Sequence, residues 1–159
     1  MAWCQSVANN GLECLIALGI ANQVAQWFKT IRLAYKSRSF NISMLLASGG
    51  MPSSHSSTVT ALATSAGLVA GFSSVEFAIA CCVAIVVMYD AAGVRRAAGK
   101  QAKILNQLIQ SVFSPEHNFS KEKLKEFLGH TPKEVFAGAT LGIVIAILLH
   151  FLLLKYCIG

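Results

Sequence analysis

The chain has 159 residues, of which 55% are hydrophobic and only 13% are charged, and its mean hydropathy is +0.59. This composition is too apolar for an ordinary soluble domain and predicts a single polytopic membrane domain over residues 1–159. The net charge is +6, but no basic–aromatic pattern accompanies it, so we expect no nucleic-acid partner and assign the positive charge to a membrane surface.

Four apolar segments are predicted to cross the bilayer as helices, which gives an all-α bundle. They run from about Leu12 to Phe28, Ser56 to Phe72, Val75 to Ala92, and Pro132 to Tyr156. The first is the least apolar. It contains Asn22, Gln23 and Gln26, which are expected to face protein or a water-filled cavity.

Glycine spacing predicts close helix packing in two of these segments. Gly67 and Gly71 are four residues apart in the second segment, which is otherwise rich in small residues and should be an inner helix. Gly138 and Gly142 repeat the spacing in the fourth. The short turn Gly71–Ser74 predicts that segments two and three form a tight antiparallel hairpin.

The connections on the other side of the predicted membrane are longer. Residues 36–51 form a polar, basic loop, and the stretch after Ala92 contains apolar residues at helical spacing, which predicts an amphipathic interfacial helix. Its apolar residues are Ile104, Leu105, Leu108, Ile109 and Val112. Ser114–Pro115 should end this helix, and Ser120 should cap a short charged helix that reaches about Leu128.

The basic residues predict the orientation. Twelve of the thirteen Lys and Arg residues lie in Lys29–Arg38 or Arg95–Lys133, and a four-span topology puts both stretches on one side. The positive-inside rule makes that side cytoplasmic and puts both termini outside. The N-terminus lacks the pattern of a removable signal peptide, and the five scattered cysteines are expected to be free thiols.

Two histidines lie beside hydroxyl residues at the starts of apolar segments. Ser53 and Ser54 precede His55, where they can cap a helix or help its N-terminus to hold a phosphate. His130 precedes Thr131 and Glu134. Glu134 can complete a capping box, or it can accept a proton from the His130 ring and fix its tautomer.

Arg95 and Arg96 follow the third segment on the same predicted face. A local salt bridge with Asp90 is one interpretation of this charge cluster, and a phosphate-binding site is the other. We expect His117 to be solvent-exposed. We expect His150 to pack or to snorkel near the far interface, without a catalytic role.

These motifs resemble those of the type-2 phosphatidic acid phosphatase superfamily, which includes lipid phosphate phosphatases and relatives of vanadium haloperoxidases, and in particular its divergent branch. Lys29-x6-Lys36 resembles the first motif, K-x6-R-P. Pro52-Ser53-Ser54-His55 resembles the second, P-S-G-H. His130-x3-Glu134 resembles the end of the third, S-R-x5-H-x3-D, but Leu124 stands where its arginine is expected.

The resemblance implies a role for each matching position. His130 would be the nucleophile, Glu134 would orient it, and His55 would protonate the leaving group. Phosphate would bind to Lys29, Lys36, Ser53, Ser54, and Arg95 or Arg96, with Asp90 in a supporting role. No metal or cofactor is implied. Relatives usually have six spans, so a chain with four favours a homodimer.

The resemblance therefore implies a multi-pass membrane phosphatase that hydrolyses a lipid phosphate or diphosphate through a phosphohistidine, on the cytoplasmic face. Two alternatives remain open at this point. The missing third-motif arginine would suit a non-catalytic protein that binds lipid phosphate or a partner protein, and the amides in the first segment would suit a small transporter.

Overall fold

The computed structural model describes residues 7–38, 49–112, 124 and 129–158, and all the regular elements in these residues are helices. Helix α1 covers Gly11–Ser37, α2 Ser54–Ala70, α3 Val75–Ala92, α4 Val94–Val112, and α5 Pro132–Leu153, with a π-helical turn over Leu154–Ile158. The predicted all-α bundle is confirmed. The predictions for Ser114–Pro115, His117 and the helix at 120–128 lie outside the described residues, as does most of the predicted 36–51 loop.

Two helical stretches of the described chain, Val75–Ile109 and Pro132–Tyr156, are long and apolar enough to cross a membrane. The other two predicted spans also fold as helices, α1 and α2, and α1 extends nine residues beyond the predicted end of its span. Their crossing of the membrane stays a prediction.

Helix α2 is the centre of the bundle and packs against α1, α3 and α5. Small side chains allow these helices to approach closely, and alanines of α1, α2 and α5 form one buried cluster. Hydroxyl groups of α2 add hydrogen bonds between helices. Ser57 Oγ donates to the Ala21 carbonyl of α1 at 3.1 Å, and Thr60 Oγ1 donates to the Ala139 carbonyl of α5 at 3.0 Å.

The two glycine pairs have different roles. A Cβ atom at Gly138 would clash with the Ser53 carbonyl, and one at Gly142 would clash with the Ser57 carbonyl, so the predicted close contact of α5 is confirmed. The second segment is an inner helix, as predicted, but its own glycine pair makes no close contact between helix backbones. Gly67 makes room for the Phe72 and Phe77 rings, and Gly71 ends α2 at a φ of 95° without packing on a helix.

Helix α1 buries a face on which every fourth residue is directed into the bundle. The Asn10 side chain caps its start, and the buried positions include Ala17, Ala21 and Ala25. Asn22 and Gln23 are exposed on the surface of the chain. For these two residues the expectation that they face protein or an internal cavity is not met within one copy of the chain, because the short alanine face fills the contact with α2 and α5. Gln26 meets it, since its side-chain oxygen is buried.

A buried hydrogen bond between a carboxyl group and an imidazole joins the other end of α1 to α5. His150 Nδ1 lies 2.6 Å from Glu13 Oε1, and the Glu13 side chain is 1% exposed. The second carboxylate oxygen of Glu13 accepts from the Asn9 backbone N–H at 2.7 Å. His150 is thus buried and paired, so its expected packing is confirmed and its alternative, snorkelling, was wrong.

Helix α4 begins directly after Gly93 and is amphipathic, as predicted. Its apolar residues Ile104, Leu105, Leu108 and Ile109 are all about half exposed. On its buried side, the Asn106 side chain makes two hydrogen bonds with the backbone of Leu124, at 3.0 and 3.1 Å. These contacts hold the chain that returns toward α5 against α4.

Candidate active site

Four chain segments meet at the end of the bundle that contains Lys29. The Ser53 N–H donates to the Glu134 carbonyl at 3.0 Å, which joins the start of α2 to the start of α5. The His130 N–H donates to the Ala91 carbonyl at 2.9 Å, which joins the residue before α5 to the end of α3. Residues far apart in sequence converge here because neighbouring helices run antiparallel.

His130 is 4% exposed and lies next to the first turn of α5. Gly129 precedes it with a φ of 86°, and a side chain at Gly129 would clash with the backbone of Arg96. Only glycine therefore allows the chain to pass so close to α4 and bring His130 into the site.

Glu134 completes the predicted capping box, and it approaches the His130 ring without making the predicted hydrogen bond. Its Oε2 accepts from the Thr131 N–H at 2.9 Å, and the Thr131 hydroxyl caps the Glu134 N–H, which completes the capping box. The same Oε2 lies 3.4 Å from His130 Nδ1, within ion-pair distance but too far for a strong hydrogen bond. Glu134 therefore fixes the start of α5 and faces one side of the His130 ring.

His55 faces His130 from the first turn of α2. The centroids of the two rings are 6.1 Å apart and their planes are tilted by 59°. Burial lowers the pKa of His130 below its usual 6.5, while the Glu134 carboxylate opposes this shift. Burial also lowers the pKa of His55, and the positive charge of Arg95 lowers it further. Both rings therefore favour the neutral form at pH 7.

Lys29 places a buried cation beside the start of α2. Lys29 is only 3% exposed, and its Nζ donates to Ser54 Oγ at 3.2 Å. Ser53 is fully buried, and its Oγ accepts from the Ser56 N–H and hydroxyl at 3.3 and 3.0 Å. The Ser53 hydroxyl therefore acts as the N-cap of α2, whereas Ser54 lies against the lysine.

The two arginines have different surroundings. Arg95 Nε is 2.7 Å from Asp90 Oδ2, and both side chains are partly exposed, so the predicted local salt bridge is present. Arg96 lies next to His130, Thr131 and Glu134 along one cleft. Arg96 is thus the arginine on the cleft that contains the predicted nucleophile, while the charge of Arg95 acts on His55.

Two clefts lined by basic residues lie on either side of Glu134 and Thr131. The first has a volume of about 290 Å³, and Arg96, Lys100 and Lys103 line its α4 side. The second, of about 330 Å³, is lined by three basic residues of α1 together with Lys133 of α5. These residues are Lys29, Arg32 and Lys36 in α1, with Leu33 between them on the same wall.

Sequence reasoning missed four of these basic residues. Lys100 and Lys103 were interpreted only as the polar face of an amphipathic helix, although their spacing from Arg96 places all three on one side of α4. Arg32 and Lys133 were counted only toward membrane orientation. The predicted topology brings the end of α1 and the starts of α4 and α5 to one side of the membrane, which could have indicated that these basic residues line the site.

In the described part of the chain, no three His, Cys, Asp or Glu side chains lie together as a metal site would require. The three cysteines whose side chains are described, Cys14, Cys81 and Cys82, are free thiols.

The sequence of the chain is similar to known proteins. Residues 10–145 match the model of the divergent PAP2 family. An uncharacterized membrane protein of Bacillus subtilis (strain 168), YuiD, is 41% identical over 125 residues, and the match covers 72% of this chain and 79% of the relative. No solved structure matches the chain significantly.

Proposed function

The chain belongs to the divergent PAP2 family, and we propose that it is a multi-pass integral membrane phosphatase. Its substrate would be a lipid phosphate or diphosphate. The observation that supports this most strongly is the pairing of the buried His130, which has Glu134 at its Nδ1, with His55 at 6.1 Å across the site. The buried Lys29 adds the positive charge that a phosphoryl group requires.

The arrangement suits a two-step reaction. In the first step, His130 Nε2 attacks phosphorus while Nδ1 faces Glu134, and the bond from phosphorus to the lipid oxygen breaks. Protonated His55 donates its proton to that oxygen, which leaves as an alcohol or, for a diphosphate, as the lipid monophosphate. The product on the enzyme is a phosphohistidine.

In the second step, water attacks the phosphohistidine while neutral His55 accepts its proton. The N–P bond breaks, inorganic phosphate leaves, and His55 is protonated again, as at the start. Lys29 and Arg96 would stabilise the negative charge on the phosphoryl oxygens in both steps. This chemistry needs no metal or organic cofactor.

Enclosure by a bilayer favours amphiphilic substrates over soluble ones. The two apolar helical stretches support a membrane location, and the YuiD relative is itself named a membrane protein. The basic residues that line the two clefts also follow the positive-inside pattern, which supports a cytoplasmic active-site face.

Phosphate release by the purified protein, tested on a panel of lipid phosphates and diphosphates, checks the proposed function. We expect turnover of at least one lipid and its loss in His130→Ala. Binding of lipid phosphate without release by the wild-type protein would favour the non-catalytic alternative. Flux across liposomes tests the transporter alternative; of the three amides that suggested it, Asn22 and Gln23 lie on the surface of the bundle.

A further inference from the structure

We propose that the outward face of α1 binds a second copy of this chain, with Gln23 at the centre of the contact. The homodimer was expected only because relatives have more spans, and that argument does not indicate which surface would be used. The depth, exposure and chemistry of α1 indicate its outward face, whether or not the protein is catalytically active.

The first step concerns depth. Glu13 contacts His150 near the end of α5, and Lys29 contacts Ser54 beside the start of α5. Glu13 and Lys29 are about 24 Å apart along α1 at 1.5 Å per residue. Helix α1 therefore runs beside most of α5, which is long and apolar enough to cross a membrane. Gln23 lies between them, about 9 Å from Lys29, and the predicted four-span topology places it within the apolar layer.

The second step concerns exposure. Asn22 and Gln23 are exposed, while Ala21 beside them is fully buried against α2 and α5. An amide directed into lipid loses hydrogen bonds that water would provide, so amides within a span normally face protein. Gly19 lies one turn before Gln23 and has nothing within 4 Å of the place of a side chain, so another helix could approach closely there.

The third step concerns the partner. An amide carries both donor and acceptor groups, so Gln23 can pair with the same residue of a copy related by a two-fold axis. Two copies in one membrane share their orientation, which makes their α1 helices parallel near that axis. Outward positions of α1 also follow the four–three spacing of a helix–helix seam: Leu12, Ile16, Gly19 and Gln23.

The test is site-specific cross-linking in membranes, in a variant whose native cysteines are replaced and whose folding is verified. Gln23→Cys should give a cross-linked dimer in high yield with a short bismaleimide. Val86→Cys is the matched control, because Val86 is also exposed on its helix. It lies five residues from Ala91, which contacts His130, so its distance from the site end of the bundle is similar to that of Gln23. It should give little dimer.

A second measurement uses energy transfer between labelled copies diluted in vesicles. Gln23→Leu should weaken dimerisation by roughly three- to twentyfold, the range expected for loss of a hydrogen bond between helices in lipid, and Gln23→Asn should retain most of it. Equal cross-linking at Gln23→Cys and Val86→Cys would overturn the proposal. So would cross-linking of Gln23→Cys only to a different protein, or its rapid labelling by a water-soluble maleimide.

Discussion

At the scale of single residues, Arg95 and Arg96 differ in what they contact, and this predicts unequal effects of the same substitution. Arg96 lines the cleft beside His130, whereas Arg95 is held by Asp90. Arg96→Lys loses the planar fork that can bind two phosphate oxygens, so kcat/KM should fall roughly ten- to hundredfold.

Arg95→Lys keeps its charge beside Asp90 and should be nearly silent, which makes it the matched control. Inhibition by inorganic phosphate should weaken in parallel with kcat/KM in the Arg96 variant alone. If both variants behave like the wild type, the missing third-motif charge comes from another residue. If kcat/KM falls in Arg95→Lys instead, Arg95 and not Arg96 binds the phosphoryl group.

The two histidines predict an acidic optimum. Catalysis needs neutral His130 and protonated His55, and burial lowers the pKa of both rings. Because the pKa of His55 is lowered from its usual 6.5, His55 loses its proton at a pH below 6.5. Without that proton it cannot protonate the leaving group, so kcat/KM should already be falling as the pH rises through 6.5. A pH profile of kcat/KM measures this decline.

A variant separates this account from a general effect of pH on the protein. Arg95 is the nearby charge that most lowers the pKa of His55, so Arg95→Gln should move the alkaline limb of the profile to higher pH. Arg95→Lys should leave the limb in place. A limb that stays fixed in Arg95→Gln would show that another group donates the proton.

At the scale of helices, the contact between α2 and α5 depends on two glycines. Gly142→Ala would force a methyl group against the Ser57 carbonyl, so we expect a loss of stability of about 1–3 kcal/mol. Gly11→Ala is the control, since nothing lies within 4 Å of its new methyl group. Unfolding in detergent compares the two, and equal stability would mean that the helices can move apart at little cost.

The Glu13–His150 pair predicts non-additive effects. Replacing either residue by Leu leaves its buried partner unpaired and should cost about 3–5 kcal/mol. Replacing both should cost less than either single change, because no buried polar group is then left without its partner. Unfolding of the three variants forms a double-mutant cycle, and simple additivity would show that the pair contributes nothing as a pair.

Much of this helical level could be predicted from local sequence. Apolar run length gave the positions of α3 and α5, and Thr131 with Glu134 gave the capping box, because both signals are local. The Glu13–His150 pair could not be found in this way, since its partners are 137 residues apart. Gly67 was misjudged because the residues that fill its space, Phe72 and Phe77, become neighbours only when the hairpin closes.

The candidate site was predictable in its motifs and less so in its surroundings. His55, His130, Glu134 and Lys29 come together as the antiparallel topology requires. Helix geometry predicts that Arg95 and Arg96 have different roles, but which of them lies beside His130 could not be predicted, because it depends on the contact of Gly129 with the first turn of α4.

At the scale of the whole molecule, the four-span topology can be tested by labelling. Single cysteines at Ser73, in the turn between α2 and α3, and at Lys103, on α4, should react from opposite sides of the membrane in a cysteine-free background. We expect Lys103→Cys to label from the cytoplasm. Labelling of both positions from the same side would contradict the topology.

The most direct test of the central claim is to trap phosphate on His130. Rapid acid-free quenching of the purified protein with a phosphorus-labelled lipid substrate, followed by peptide mapping, should locate acid-labile phosphate on the peptide that contains His130. In His55→Ala, label should accumulate if the change slows hydrolysis of the phosphohistidine more than its formation. In His130→Ala, no label should appear. Turnover without label on His130, or turnover retained in His130→Ala, would contradict the phosphohistidine mechanism.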